Sequence, residues 1–73
     1  MSKTYAEVQL ERAHQYRAQG HDAAAIDAAC RATSNVLDLP VEVVAQGVTS
    51  ADEAIEAADR DVLNELVDQT YSD

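Results

Sequence analysis

The stretch SADEAIEAADRDVLNELVDQTY, residues 50–71, constrains this chain more than any other, because it reads as one long amphipathic helix and carries most of the net charge. Ser50 followed by Glu53 makes a capping box: the hydroxyl accepts from an orphan N–H of the first turn while the carboxylate reaches back, and Asp52 and Glu53 suit the positive end of a helix. At ~100° per residue, Ala51, Ile55, Ala58, Val62 and Leu66 fall on one stripe, the pattern of a helix with a single buried face. The remaining arc is mostly acid. Glu53, Glu56 and Asp59 form one ridge and Asp61, Glu65 and Asp68 another, with neighbours about one helical turn (~5.4 Å) apart. Only Arg60 interrupts them. Leu63 and Val67 lie at the edge of the apolar stripe, where a partner or a second copy is expected to dock beside the acids.

The formal net charge is −9, and its placement is uneven. Residues 1–37 hold Lys3, Arg12, Arg17 and Arg31 against Glu7, Glu11, Asp22 and Asp27, whereas residues 38–73 hold Arg60 alone against ten acids. Like charges at i, i+3 and i, i+4 weaken a helix, so this clustering calls for a reason beyond folding. A sequence pI near 4.3 opposes direct contact with nucleic acid or anionic lipid, which need Lys and Arg against phosphate, and favours a basic partner.

At 73 residues the chain allows one domain with one modest core. The apolar fraction is 47%, yet 14 of those residues are Ala, which leaves the eight Val, five Leu, two Ile and three Tyr as the larger core formers. Stability is therefore expected to be slim. Cys30 stands alone, which excludes an intramolecular disulfide and suits a reducing compartment. No apolar run is long enough to span a bilayer and MSKTYAEV lacks a signal-peptide core, so a cytoplasmic location is expected, without a membrane partner.

Taken in order, Thr4 and Glu7 make a first capping box, and a helix follows from about Tyr5 to Gln19, ended by Gly20 in the left-handed conformation. Tyr5, Leu10, Ala13 and Tyr16 share its inner face with Ala6 and Gln9, while Glu7, Glu11 and His14 point away. Asp22 is expected to cap a second helix, roughly Ala23 to Leu37, whose buried side holds Ala25, Ile26, Ala29, Cys30, Thr33, Val36 and Leu37. The short link Gly20-His21 makes the pair an antiparallel hairpin. Pro40 then suits the first turn of a short helix from Val41 to Gln46, stopped by Gly47. The expectation is an all-α fold: a single helical domain, residues 1–73, of three main helices plus one short one.

Chemistry is sparse. His14, His21 and Cys30 lack the convergence of a metal site, and Cys30 on an apolar helix face reads as a small core residue. Asp59 and Asp61 lack the alternating ligands, glycine and closing Glu of a calcium loop. None of the serines sits in the Asp-Ser-Leu context of an acyl carrier, and VEVVAQ offers no base with which to read DNA. No catalytic residue, cofactor site or metal site is expected.

Tyr16, Gly20, Ala25, Ile26 and Ala32, within YRAQGHDAAAIDAACRA, resemble in spacing the middle of a tetratricopeptide repeat. The pattern departs from the family at Arg12 and Ala13, at Ala29 and at the late Pro40, and no second copy follows, so the segment reads as an Ala-packed hairpin. As a whole, short, acidic, without catalytic residues and with its charge gathered on one face, the chain resembles the small acidic phage-encoded inhibitors of the anti-CRISPR kind. That resemblance implies a nucleic-acid-handling target in the host cytoplasm, with Asp52, Glu53, Glu56, Asp59, Asp61, Glu65 and Asp68 standing in for phosphates. The alternative is a helical interaction or assembly module whose acidity serves solubility, present as a monomer or a weak homodimer.

Overall fold

The computed structural model describes residues 3–71, with side chains from Lys3 to Val67; the side chain of Asp68 lies outside the described residues. Four helices and no strand occur among them: α1 Tyr5–Ala18, α2 Asp22–Leu37, α3 Val41–Gln46 and α4 Ala51–Tyr71. The fold is a small all-α domain.

The helix ends follow from local chemistry. At the start of α1, Thr4 Oγ1 accepts from the Glu7 N–H at 3.2 Å and the Glu7 carboxylate accepts from the Thr4 N–H at 3.2 Å, a complete capping box. At its other end Gly20 adopts φ +83°, which lets the Gly20 N–H reach Arg17 O at 3.1 Å and the His21 N–H reach Tyr16 O at 2.8 Å. These two bonds are those of a Schellman motif, and they reverse the chain within two residues.

Asp22 is not the cap of α2. The His21 carbonyl already accepts from the Ala25 N–H at 2.9 Å, so the helix starts one residue early, His21 occupies the cap without a side-chain bond, and Asp22 joins the first turn facing Arg17 at 3.6 Å. Asp38, in the left-handed region at φ 57°, ends α2 where glycine is the usual choice. The Leu39 N–H returns to Ser34 O at 3.2 Å and the Ser34 hydroxyl donates to Leu39 O, which closes the corner before Pro40 opens α3. Ser50 Oγ accepts from the Glu53 N–H at 3.2 Å at the start of α4, while the Glu53 carboxylate turns to the Thr49 hydroxyl at 2.6 Å.

Alanine dominates the interior. Ala6 and Ala13 of α1, Ala25, Ala28, Ala29 and Ala32 of α2, and Ala51, Ala54 and Ala58 of α4 are buried together with Ile55 and Val62. Small side chains let helix axes approach, and interaxial distance shrinks with the residues at the contact. Leu10, Tyr16, Ile26, Val36, Val48 and Leu66 pack around this seam partly buried. Two expected core residues lie elsewhere. Tyr5 is 50% exposed and Leu37 48%; the first is the opening residue of α1 and the second the last residue of α2. α2 is the central element, packed against the other three, and α1 touches α4 more lightly than either touches α2. α3 buries no residue completely and braces α2.

Candidate protein-binding surface

The stripe of α4 that faces inward is the one its sequence marks, with Ala51, Ile55, Ala58 and Val62 buried and Leu66 at the margin. With that face fixed by packing, the acids are distributed around the remaining circumference, and they fall into three environments.

On the flank toward α1, Arg17 grips Asp52 with a two-pronged contact, Nε donating to Oδ1 at 2.8 Å and Nη2 donating to Oδ2 at 3.2 Å. The hydrogen bond from Arg17, reinforced by its charge, holds the Asp52 carboxyl below the usual aspartate range. About two turns further along α4, His14 Nε2 lies 3.0 Å from Asp59 Oδ1. These contacts tie α1 to α4 and show the two helices running antiparallel, since Arg17 meets Asp52 while His14 meets Asp59. Asp52 nevertheless stays 75% exposed at its side chain.

Along the outer face, Glu53 and Glu56 are exposed and border a shallow polar hollow with Gly47, Ala57 and Arg60. The Arg60 guanidinium points to Asp61, with Nε 3.4 Å from Oδ1. On the third flank Asp61 is largely covered, 15% exposed at its side chain, and Glu65 is half-buried. The two ridges expected from spacing therefore exist as backbone geometry but differ in access: Glu53, Glu56, Asp52 and Asp59 face solvent more openly than Asp61.

Beside the first flank, α1 and α4 part to leave a groove of about 280 Å³. Leu10, Val62, Leu63 and Leu66 line it with apolar atoms, and Lys3, Glu7, Glu11 and His14 stand along its α1 side. Lys3 pairs with Glu11 across one end. Glu7, Glu11 and His14, expected to point away from the packed face of α1, thus border the groove it shares with α4. The helix period placed these residues correctly off the core; it carries no information on where the neighbouring helix diverges. Among the described residues of α4, Leu63 at 58% and Val67 at 49% are the most accessible large apolar side chains.

Cys30 is buried between the helices, and burial pushes its thiol up, which disfavours the reactive thiolate. Among the described residues no three His, Cys, Asp or Glu side chains are grouped to hold a metal ion, and no helix is long and apolar enough to cross a membrane. Comparison with protein-family models, with characterised proteins and with solved structures gives no match for this chain.

Proposed function

We propose that this chain is a small acidic binding protein that inhibits a nucleic-acid-handling machine by occupying its basic nucleic-acid-binding surface, with α4 as the decoy. The observation that carries the reading is where the charge sits: α4 bears seven acids and one base, while residues 1–37 are neutral. Glu53 and Glu56 on its outer face, with Asp52 and Asp59 on the adjoining flank, lie on one rigid helix at intervals of three or four residues. A helix rises ~1.5 Å per residue, so these carboxylates follow one another at ~5 Å steps along the axis, wider than the ~3.4 Å of axis per phosphate on one DNA strand but of the same order. Such a surface steers itself toward Lys and Arg clusters and is screened over roughly 8 Å at physiological ionic strength. The resemblance to inhibitors of the anti-CRISPR kind points the same way, and the reading assigns the protein no reaction.

The test is affinity capture by the immobilised protein from bacterial lysate at low and high salt, repeated with Glu53→Gln/Glu56→Gln and with Glu42→Gln on α3 as the control. The proposal expects nucleic-acid-binding proteins that are retained at low salt, released at high salt and lost with the α4 pair but not with the control. Partners unrelated to nucleic acid, held equally by all variants, would reject it. The exposed Leu63 and Val67 favour a second reading, an interaction or assembly module in which acidity serves solubility. Capture resistant to salt and abolished by Leu63→Lys with Val67→Lys would select that one.

A further inference from the structure

We infer that this chain forms a weak, twofold-symmetric homodimer in which two copies of α4 pack antiparallel across Leu63, the apolar ridge of each seated in the α1–α4 groove of the other. The inference stands on the apolar side of α4 and is independent of what its carboxylates bind.

Three observations combine. First, the fold leaves large apolar side chains of α4 outside: Leu63 is 58% exposed and Val67 49%, while the buried seam is mostly alanine. These two lie four residues apart, about one turn, and form a ridge along the helix. Second, that ridge borders a hollow, because Leu63 also lines the groove with Leu10, Val62 and Leu66. A ridge and a hollow on one face make the surface complementary to itself, which is the requirement of a twofold interface. A foreign helix would use the hollow and leave the ridge in water. Third, the charges at the groove are satisfied within the chain. The Glu7 carboxylate accepts from the Thr4 N–H, Glu11 pairs with Lys3, and Asp59 lies 3.0 Å from His14 Nε2. The groove therefore asks no counter-charge of its occupant.

The net charge of −9 sets the orientation. The open carboxylates of α4, Glu53 and Glu56, precede Leu63 by ten and seven residues, which is ~15 Å and ~10 Å of helix. Antiparallel pairing about Leu63 holds each at twice that distance from its counterpart, ~30 Å and ~21 Å, well beyond the ~8 Å over which charge acts at physiological ionic strength. Parallel pairing would set them side by side. Asp61 and Glu65 stand roughly 160° around the helix from Leu63, away from the contact. Two ridge residues and a shallow hollow make a small interface, of the class that associates weakly and reversibly.

The test is sedimentation equilibrium of the full chain from about 10 µM to about 1 mM, over which the mass should rise from 7.9 kDa toward twice that value. Leu63→Ala, an exposed truncation whose fold is checked by circular dichroism, should weaken association by about tenfold or more. Glu53→Gln/Glu56→Gln should change it by less than about threefold. Because that pair reads the decoy and Leu63→Ala reads the dimer, failure of one account leaves the other standing. In a Cys30→Ala background, Leu63→Cys should give a disulfide-linked dimer on mild oxidation and Glu56→Cys should not. A mass of 7.9 kDa at every concentration would overturn the inference and leave the groove to a foreign partner. Association unchanged by Leu63→Ala would overturn it as well, as would equal crosslinking of the two cysteine variants, which is the mark of a parallel pair.

Discussion

At the scale of single residues, the fold is closed by a few polar contacts whose effects can be separated. Arg17 links all the main helices at one point, since it belongs to α1, faces Asp22 of α2 at 3.6 Å and holds Asp52 of α4 at 2.8 Å. The Asp52 carboxyl is depressed below its ordinary value of 3.8, so its contribution is complete above that value and is lost as pH falls through the lower folded-state value. Asp52→Asn should therefore lower the urea midpoint slightly at pH 7, with the two midpoints converging as the pH is taken to 3 and below; a constant gap across that range would show that the pair does not titrate with folding. Asp38 offers the opposite sign. It adopts φ 57° at the end of α2, a conformation that costs side-chain-bearing residues energy and glycine none. Asp38→Gly should stabilise the protein by about 0.5–1 kcal/mol in urea unfolding. A loss of stability would mean that the aspartate side chain itself secures the corner.

At the scale of elements, the helices are held by a seam of alanines with larger side chains at its margins. Ala25, Ala29 and Ala58 are 0% exposed, so there is no room between α2 and α4 for bulk. Ala58→Leu should cost roughly 1–3 kcal/mol or more by overpacking, and Ile55→Asp should abolish cooperative unfolding by burying an unpaired carboxylate. Leu63→Ala, on the exposed side of the same helix, should stay within ~0.5 kcal/mol. Comparable midpoints for Ala58→Leu and Leu63→Ala would place the seam elsewhere. The period of α4 was enough to pick out Ala51, Ile55, Ala58 and Val62 as its buried face, and Gly20, Pro40 and the two Ser/Thr caps were enough to divide the chain into four helices. What local pattern did not reveal depends on approach between helices. Alanine is buried only when a neighbour comes close, so Ala28, Ala32 and Ala54 escaped notice while Tyr5 and Leu37 were overvalued for their size. The pairing of Asp52 and Asp59 with α1, and the groove beside them, arise from residues more than thirty positions apart and leave no trace in spacing along one helix.

For the whole molecule, the governing fact is that a neutral hairpin carries a strongly acidic helix. The domain extends 39 Å in its longest dimension, and α4, with 21 residues at ~1.5 Å each, covers about 31 Å of helix, so a partner meeting this chain along α4 meets most of its length. Among the described residues, Arg17 pairs with Asp52 and His14 lies against Asp59, contacts that orient α4 and leave most of its carboxylates at the surface. If this surface stands in for phosphate, nucleic acid and protein compete for one site, and neither is displaced when the sites are separate. The direct measurement is fluorescence anisotropy of a labelled duplex bound to the nucleic-acid-handling partner recovered by capture, titrated with this protein and with Glu53→Gln/Glu56→Gln. The decoy account predicts complete displacement of the duplex by the wild type, strongest at low salt, and weaker displacement by the paired variant. A stable ternary complex of partner, duplex and this protein would contradict it.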